Sequence, residues 1–222
     1  MNLRLRDRTV DCRPGSPLLM GIVNANPDSF ADAERATTLD AQVERALGLV
    51  RDGADLIDVG GESGVTYTDV TAEEVEIGRV LPLVQRLVAE GVTVSVDTWK
   101  PAVAEAVLDA GVHMINDVSG FLDPDSIRAV AGSGAGLCIM HMAGDPSTMQ
   151  RAPVYRDVVS QVREFLYGRV QALCAAGVGV NRIVLDPGIG FGKTLDHNVG
   201  LLRHLRSLSS VGQCAGSVGN RA

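Results

Sequence analysis

The sequence predicts a parallel α/β fold, and three observations predict it. Six short apolar runs follow one another along the chain. Segments with helical spacing separate them. Each run ends on Asn, Asp or His, residue types that can do chemistry. Short runs rich in Val and Ile read as strands buried on both faces. Strands that alternate with amphipathic helices call for a parallel sheet with right-handed crossovers. In a (β/α) barrel the active site is assembled at the C-terminal ends of several such strands. The six runs therefore predict a ring of polar groups at one mouth.

In chain order, the run at 18–23 ends at Asn24 and that at 56–57 at Asp58. Run 92–96 ends at Asp97, and 112–115 at Asn116. Run 137–140 ends at His141, and 182–185 at Asp186. Helices are expected at 39–50, 71–89, 101–110, 124–131, 155–176 and 198–208. The first has Asp40 as N-cap and repeats Val43, Ala46, Leu47 and Val50 on one face. The second opens with Thr71-Ala72-Glu73-Glu74, a capping-box pattern. The third has Pro101 at its start and Gly111 at its end. Gly132 and Gly177 close the fourth and fifth. Residues 1–17 read as a lead-in, 18–208 as one domain, and the small-residue stretch 209–222 as an irregular tail. A closed barrel needs eight units and typically about 250 residues. Six units are legible, so counting alone leaves a doubly wound open sheet in place as well.

A chain of 222 residues suits one large α/β domain. Its net charge of −7 argues against general binding to nucleic acid or anionic membranes. No apolar stretch reaches the roughly 18 residues of a spanning helix. The charged N-terminus lacks a signal-peptide core, so a cytoplasmic location is expected. Cys12, Cys138, Cys174 and Cys214 are scattered, which fits neither a zinc site nor a disulfide frame. Cys138 reads as a small buried hydrophobe.

Several strand ends carry motifs. The stretch from Asn24 through Asn26, Pro27 and Asp28 to Asp32 offers oxygen ligands of the kind Mg²⁺ takes. On local sequence it reads more strongly as an Asn-Pro-Asp turn. Gly60-Gly61 allows close backbone approach to a ligand. Asp97 and Asn116, at neighbouring strand ends, suit a flat heterocycle, because a carboxylate accepts two parallel bonds from an amidine-like edge. Asp97 also reads as a helix cap. His141, between Met140 and Met142, reads more readily as structural than catalytic. The stretch from Asp186 to Thr194 nearly fits a phosphate-binding P-loop. Pro187 stands where the first glycine belongs, and no partner strand follows, so that reading fails. A strand-end carboxylate, a glycine-rich loop and Lys193 remain.

Taken together these stretches resemble the dihydropteroate synthase family, the pterin-binding enzymes of folate biosynthesis. The matching residues are Met20-Gly21-Ile22-Val23-Asn24, Pro27-Asp28-Ser29-Phe30, Ile57-Asp58-Val59-Gly60-Gly61-Glu62-Ser63 and Ser95-Val96-Asp97-Thr98. They continue with Lys100-Pro101, Ile115-Asn116-Asp117-Val118-Ser119-Gly120, Met140-His141-Met142 and Leu185-Asp186-Pro187-Gly188-Ile189-Gly190-Phe191-Gly192-Lys193. The resemblance implies a (β/α)₈ TIM-type barrel with about six of eight units legible. It implies a transferase that joins 6-hydroxymethyl-7,8-dihydropterin diphosphate to 4-aminobenzoate. By resemblance, Asp97, Asn116 and Asp186 hold the pterin. Asn24 and Asp32 bind Mg²⁺ with the diphosphate, and Phe30 lies in the loop over the aminobenzoate site, where sulfonamides compete. No residue is needed as a covalent nucleophile.

Three departures accompany the resemblance. Ser63-Gly64-Val65-Thr66-Tyr67 stands where the family has Ser-Thr-Arg-Pro-Gly. Asn26 replaces a threonine, and Ala33 and Glu34 replace two glycines. The family's Ser-Arg-Lys-Ser strand and its Arg-x-His strand are not found, so a C-terminally truncated or frameshifted chain is expected. The helices through which the family commonly forms homodimers are not found either. A non-catalytic pterin-binding paralogue or an inactive truncated product stands as the alternative. The pterin domain of a methyltetrahydrofolate methyltransferase fits less well, because Pro27-Asp28-Ser29-Phe30 favours the synthase.

Overall fold

A computed structural model describes residues 2–13, 15–25, 38–62, 70–144 and 153–209. A small antiparallel hairpin comes first, β1 (Asn2–Leu5) with β2 (Arg8–Asp11). A β/α alternation follows: β3 (Met20–Asn24), α1 (Leu39–Arg51), β4 (Leu56–Gly60), α2 (Glu73–Ala89), β5 (Val94–Asp97) and α3 (Pro101–Asp109). It continues with β6 (Met114–Asp117), α4 (Pro124–Ala131), β7 (Gly136–Met140), α5 (Val158–Ala175), β8 (Ile183–Asp186), α6 (Leu195–Arg203) and α7 (Leu205–Ser209). All six expected strands and six expected helices are present, with shifted ends.

The large sheet is parallel, in the order β3-β4-β5-β6-β7-β8. Each strand lies beside its neighbour in sequence. A doubly wound sheet reverses direction at a switch point, and no reversal occurs here. The order is that of a barrel wall. Among the described residues β3 pairs only with β4, and β8 only with β7.

One rung of this wall explains why the helices dock. Val23, Val59, Val96, Ile115, Leu137 and Ile183 are in register across all six strands. Each is at most 1% exposed. They pack with Ala46 of α1, Leu83 and Leu87 of α2, Val107 of α3, Val130 of α4 and Leu166 of α5. Burying side chains of this size stabilises by about 1.5–3 kcal/mol each.

The opposite face of the strands is lined at its base by Leu56, Met114, Cys138 and Val184. Leu3 and Leu5 of the hairpin complete that cluster. Cys138 is buried there as the sequence suggests. The expected lead-in thus carries a structural plug. Gly136 admits it: a Cβ there would lie 2.3 Å from Leu5 Cδ2. Arg6 donates to the carbonyls of Leu108 and Val112, and Arg8 to Thr93 Oγ1. The alternation Asn2, Leu3, Arg4, Leu5 carries this signal, but over only four residues.

Several helix ends differ from the sequence expectation. Thr38, not Asp40, caps α1, its Oγ1 accepting from Ala41 N. The capping box at Thr71 does not form, because Thr71 N donates to Glu62 Oε1 at 2.7 Å. Ala72 takes the cap position of α2 without a side-chain bond. Asp157 caps α5, which starts later than residue 155. A capping box forms instead at Thr194 and His197, starting α6 before residue 198. Of the expected tail, Ser209 ends α7 and residues 210–222 lie outside the described residues. Among the described residues no helix is long and apolar enough to cross a membrane.

Candidate functional site

One residue beyond the apolar rung, the strands turn the next side chains to the inner face. That rung reads Asn24, Gly60, Asp97, Asn116, Cys138 and Val184. Side chains two residues apart share a face. Asp58 therefore lies on the same face one step deeper, beside Ser95. Asp186 lies one step higher, beside Met140. The sequence-predicted residues Asn24, Asp58, Asp97, Asn116 and Asp186 thus meet on one face at one mouth. His141 does not join them. It falls one residue past the end of β7, so its side chain goes to the other side, edge-on to Phe165 of α5 at 5.0 Å. Phe30 and Asp32 lie outside the described residues.

The floor beneath these groups is polar and buried: Asp58, Ser95 and Asn116 are at most 8% exposed. Asn116 Nδ2 donates to buried Asp58 Oδ2 at 3.2 Å. That bond orients the amide and leaves its oxygen for a ligand. Ser95 Oγ is buried without a hydrogen-bond partner among the described residues. Gly60 lies between two of these polar side chains: a Cβ there would touch Asn24 Oδ1 at 3.6 Å and Asp97 Oδ2 at 3.9 Å, ordinary contact distances. The carboxylates of Asp97 and Asp186 and the amide of Asn116, on one face, can accept hydrogen bonds from a flat, N–H-rich ring. Asn24 Oδ1 is a hard donor of the type Mg²⁺ takes, and that ion needs only one or two protein ligands beside a phosphate. Among the described residues no three His, Cys, Asp or Glu cluster to hold a metal by themselves.

Three buried devices hold these strand ends; sequence reasoning singled out the residues of the third, from Asp186 to Lys193, but not the bonds that any of the three makes. Behind Asp97, Lys100 Nζ bonds Glu76 at 2.5 Å and Glu62 at 3.0 Å. Trp99 Nε1 also donates to Glu62. Burial raises the Glu76 carboxyl, opposed by its bonds from Lys100 and Thr98. A signal existed: Glu76 occupies a position on the apolar stripe Val80, Leu83, Leu87. Next to Asn116, Asp117 accepts from Ser119 N, Ser119 Oγ and Phe121 N. Burial pushes Asp117 up to about 6. Its bonds pin a turn in which the buried Phe121 has φ 58°, a conformation unusual for a bulky residue. Arg169 of α5 donates to the carbonyls of Gly120 and Phe121.

The third device follows β8. Asp186 Oδ1 accepts from Gly188 N at 2.7 Å. Gly188 has φ 67°, and a Cβ there would lie 1.9 Å from His141 O. Only glycine fits. Lys193 Nζ sits beneath this loop beside His141. Burial lowers Lys193 to about 7 against the pull of Asp186. Burial, then Lys193, lowers His141 to about 4. His141 is therefore neutral near pH 7, a packed group and not an exposed acid or base.

Comparison with known proteins gives one consistent result. The family described as pterin binding enzyme matches residues 20–220. Dihydropteroate synthase of Neisseria meningitidis serogroup C is 41% identical over 198 residues, covering 86% of this chain and 69% of that protein. The Escherichia coli K12 enzyme is 40% identical over 190 residues, covering 85% and 67%. A Yersinia pestis dihydropteroate synthase structure with a sulfonamide drug superposes with a TM-score of 0.91 at 39% identity. It covers 99% of this chain and 79% of that one. A Burkholderia cenocepacia dihydropteroate synthase with 7,8-dihydropteroate gives a TM-score of 0.83 at 43% identity, covering 93% and 70%.

Proposed function

The chain belongs to the pterin-binding enzyme family, and from that premise we infer that it is a dihydropteroate synthase. It joins 6-hydroxymethyl-7,8-dihydropterin diphosphate to 4-aminobenzoate and releases diphosphate. The fold is accordingly the TIM-barrel type, with six β/α units among the described residues. The observation that carries the reading is the placement of Asp97, Asn116 and Asp186 on one inner face at neighbouring levels.

On this reading Asp97 and Asp186 accept N–H bonds from the edge of the pterin. Asn116, turned by Asp58, offers its oxygen to the same ring. Charge-assisted bonds of this type contribute about 1.5–3 kcal/mol each. Held carboxylates also favour the positive charge that develops on the ring as the C–O bond to diphosphate breaks. The arylamine nitrogen forms the new C–N bond to that methylene carbon and loses its proton to solvent. No protein nucleophile is required. Asn24 and Asp32 are the proposed Mg²⁺ ligands, and the ion when bound supplies neutralisation of the leaving diphosphate. Phe30 belongs to the loop proposed to close over the aminobenzoate, the site for which a sulfonamide competes. A cytoplasmic location goes with the reading.

The test is calorimetry with 6-hydroxymethylpterin, followed by a product assay with Mg²⁺ and both substrates. Pterin binding that Asp97→Ala weakens at least about tenfold is expected, together with dihydropteroate that forms only when both substrates are present. Equal affinity in the variant overturns the site. Binding without product favours the non-catalytic alternative.

A further inference from the structure

Lys193 makes none of the pterin contacts proposed above, yet it is only 5% exposed and ringed by acceptors. Its Nζ donates to the carbonyl oxygens of Gly188 at 2.8 Å, Phe191 at 2.9 Å and His141 at 3.1 Å. His141 Nδ1 stands a further 3.1 Å away. An ammonium has three N–H donors, and the three carbonyls use them all. Two of those carbonyls belong to the loop after β8. The third belongs to the end of β7. Gly188 sits at the crossing point. Its N–H goes to Asp186 and its carbonyl to Lys193. The path from the ammonium to the pterin-facing carboxylate is one residue long.

We propose that Lys193 is a positioning residue: its ammonium knots the end of β7 to the loop after β8 and so holds Asp186 in the orientation that receives the pterin. The proposal rests on the pterin reading of the pocket. A neutral amine has two N–H donors instead of three, so deprotonation releases one carbonyl and loosens the knot. Burial brings that event near neutrality, at about 7. The groups facing Nζ come from every packed element. His141 at the end of β7 is already neutral, held down to about 4. Asp186 of β8 opposes deprotonation. Tyr155, ahead of α5, donates to Gly192 O, and burial raises its hydroxyl. His197 of α6 meets the Tyr155 ring and not the amine.

The experiment is calorimetry of the full chain with 6-hydroxymethylpterin between about pH 6 and about pH 8.5, for native, Lys193→Met and Lys193→Arg proteins. Native affinity is expected to fall at least about threefold as the pH rises through about 7. Lys193→Met should bind at least about tenfold more weakly at the acid end and lack that step. Lys193→Arg keeps its charge throughout, so its step should also vanish, and any step left in both variants does not belong to Lys193. If Lys193→Met does not fold, the native and Arg profiles decide. A flat native profile, or variants with native affinity and a native step, overturns the proposal while leaving the pterin site intact. A native chain that binds no pterin at any pH overturns both.

Discussion

Two adjacent rungs of one sheet carry opposite chemistry. The first is Val23, Val59, Val96, Ile115, Leu137 and Ile183, facing the helices. The second, one residue on, is Asn24, Gly60, Asp97, Asn116, Cys138 and Val184, facing inward. The side-chain period of a strand is two, so a single step reverses the face. The outer rung buries apolar surface and holds the helices. The inner rung bears carboxylate and amide groups, with Gly60 between Asn24 and Asp97. Stability and ligand binding thus come from neighbouring residues that point apart, and each should be separable from the other by mutation.

The largest effect is expected on the outer rung. Leu137→Ala should cost about 2–5 kcal/mol of unfolding free energy, because it leaves a cavity under the helices. Denaturant titration measures it, and the folded fraction should keep its pterin affinity. A comparable loss of affinity would show that the rungs are not independent. On the inner rung the balance reverses. Asp97→Ala should lower pterin affinity by about 1.5–3 kcal/mol while changing stability by only about 0.5 kcal/mol.

Asp117 links the two rungs, since it follows Asn116 and faces the helices. Its folded pKa, about 6, is raised above the usual carboxylate value by burial. Between the unfolded and folded values the native state binds more protons. The contribution of this group to stability is therefore fullest below about pH 4 and is lost as the pH rises through about 6. NMR titration of the Asp117 carboxyl carbon should show a midpoint near 6. A midpoint near the unperturbed value would break the link. The smallest effect lies outside both rungs. Thr38→Ala removes the α1 cap and should cost about 1 kcal/mol in a thermal melt. Asp40→Ala, which leaves the cap, should cost less.

Much of this division was legible along the chain. Apolar runs that end on Asn24, Asp97, Asn116 and Asp186 determined the strands and put those residues at one mouth, because strand burial and strand ends are local patterns. Failure of the P-loop at Pro187 was equally local. Tertiary structure decided the rest, because it depends on pairs far apart in sequence. Periodicity says that a strand is buried, not which strand lies beside it, so it was the strand order that told a barrel wall from a doubly wound sheet. A one-residue phase moved His141 from the mouth to the side of Phe165. Glu76 on an apolar stripe made sense only once Lys100 lay against it. Gly136 and Leu5, and Gly188 and His141, constrain each other through space alone. A sequence can require that apolar and polar faces separate, but the fold decides which backbone comes close enough to require a glycine.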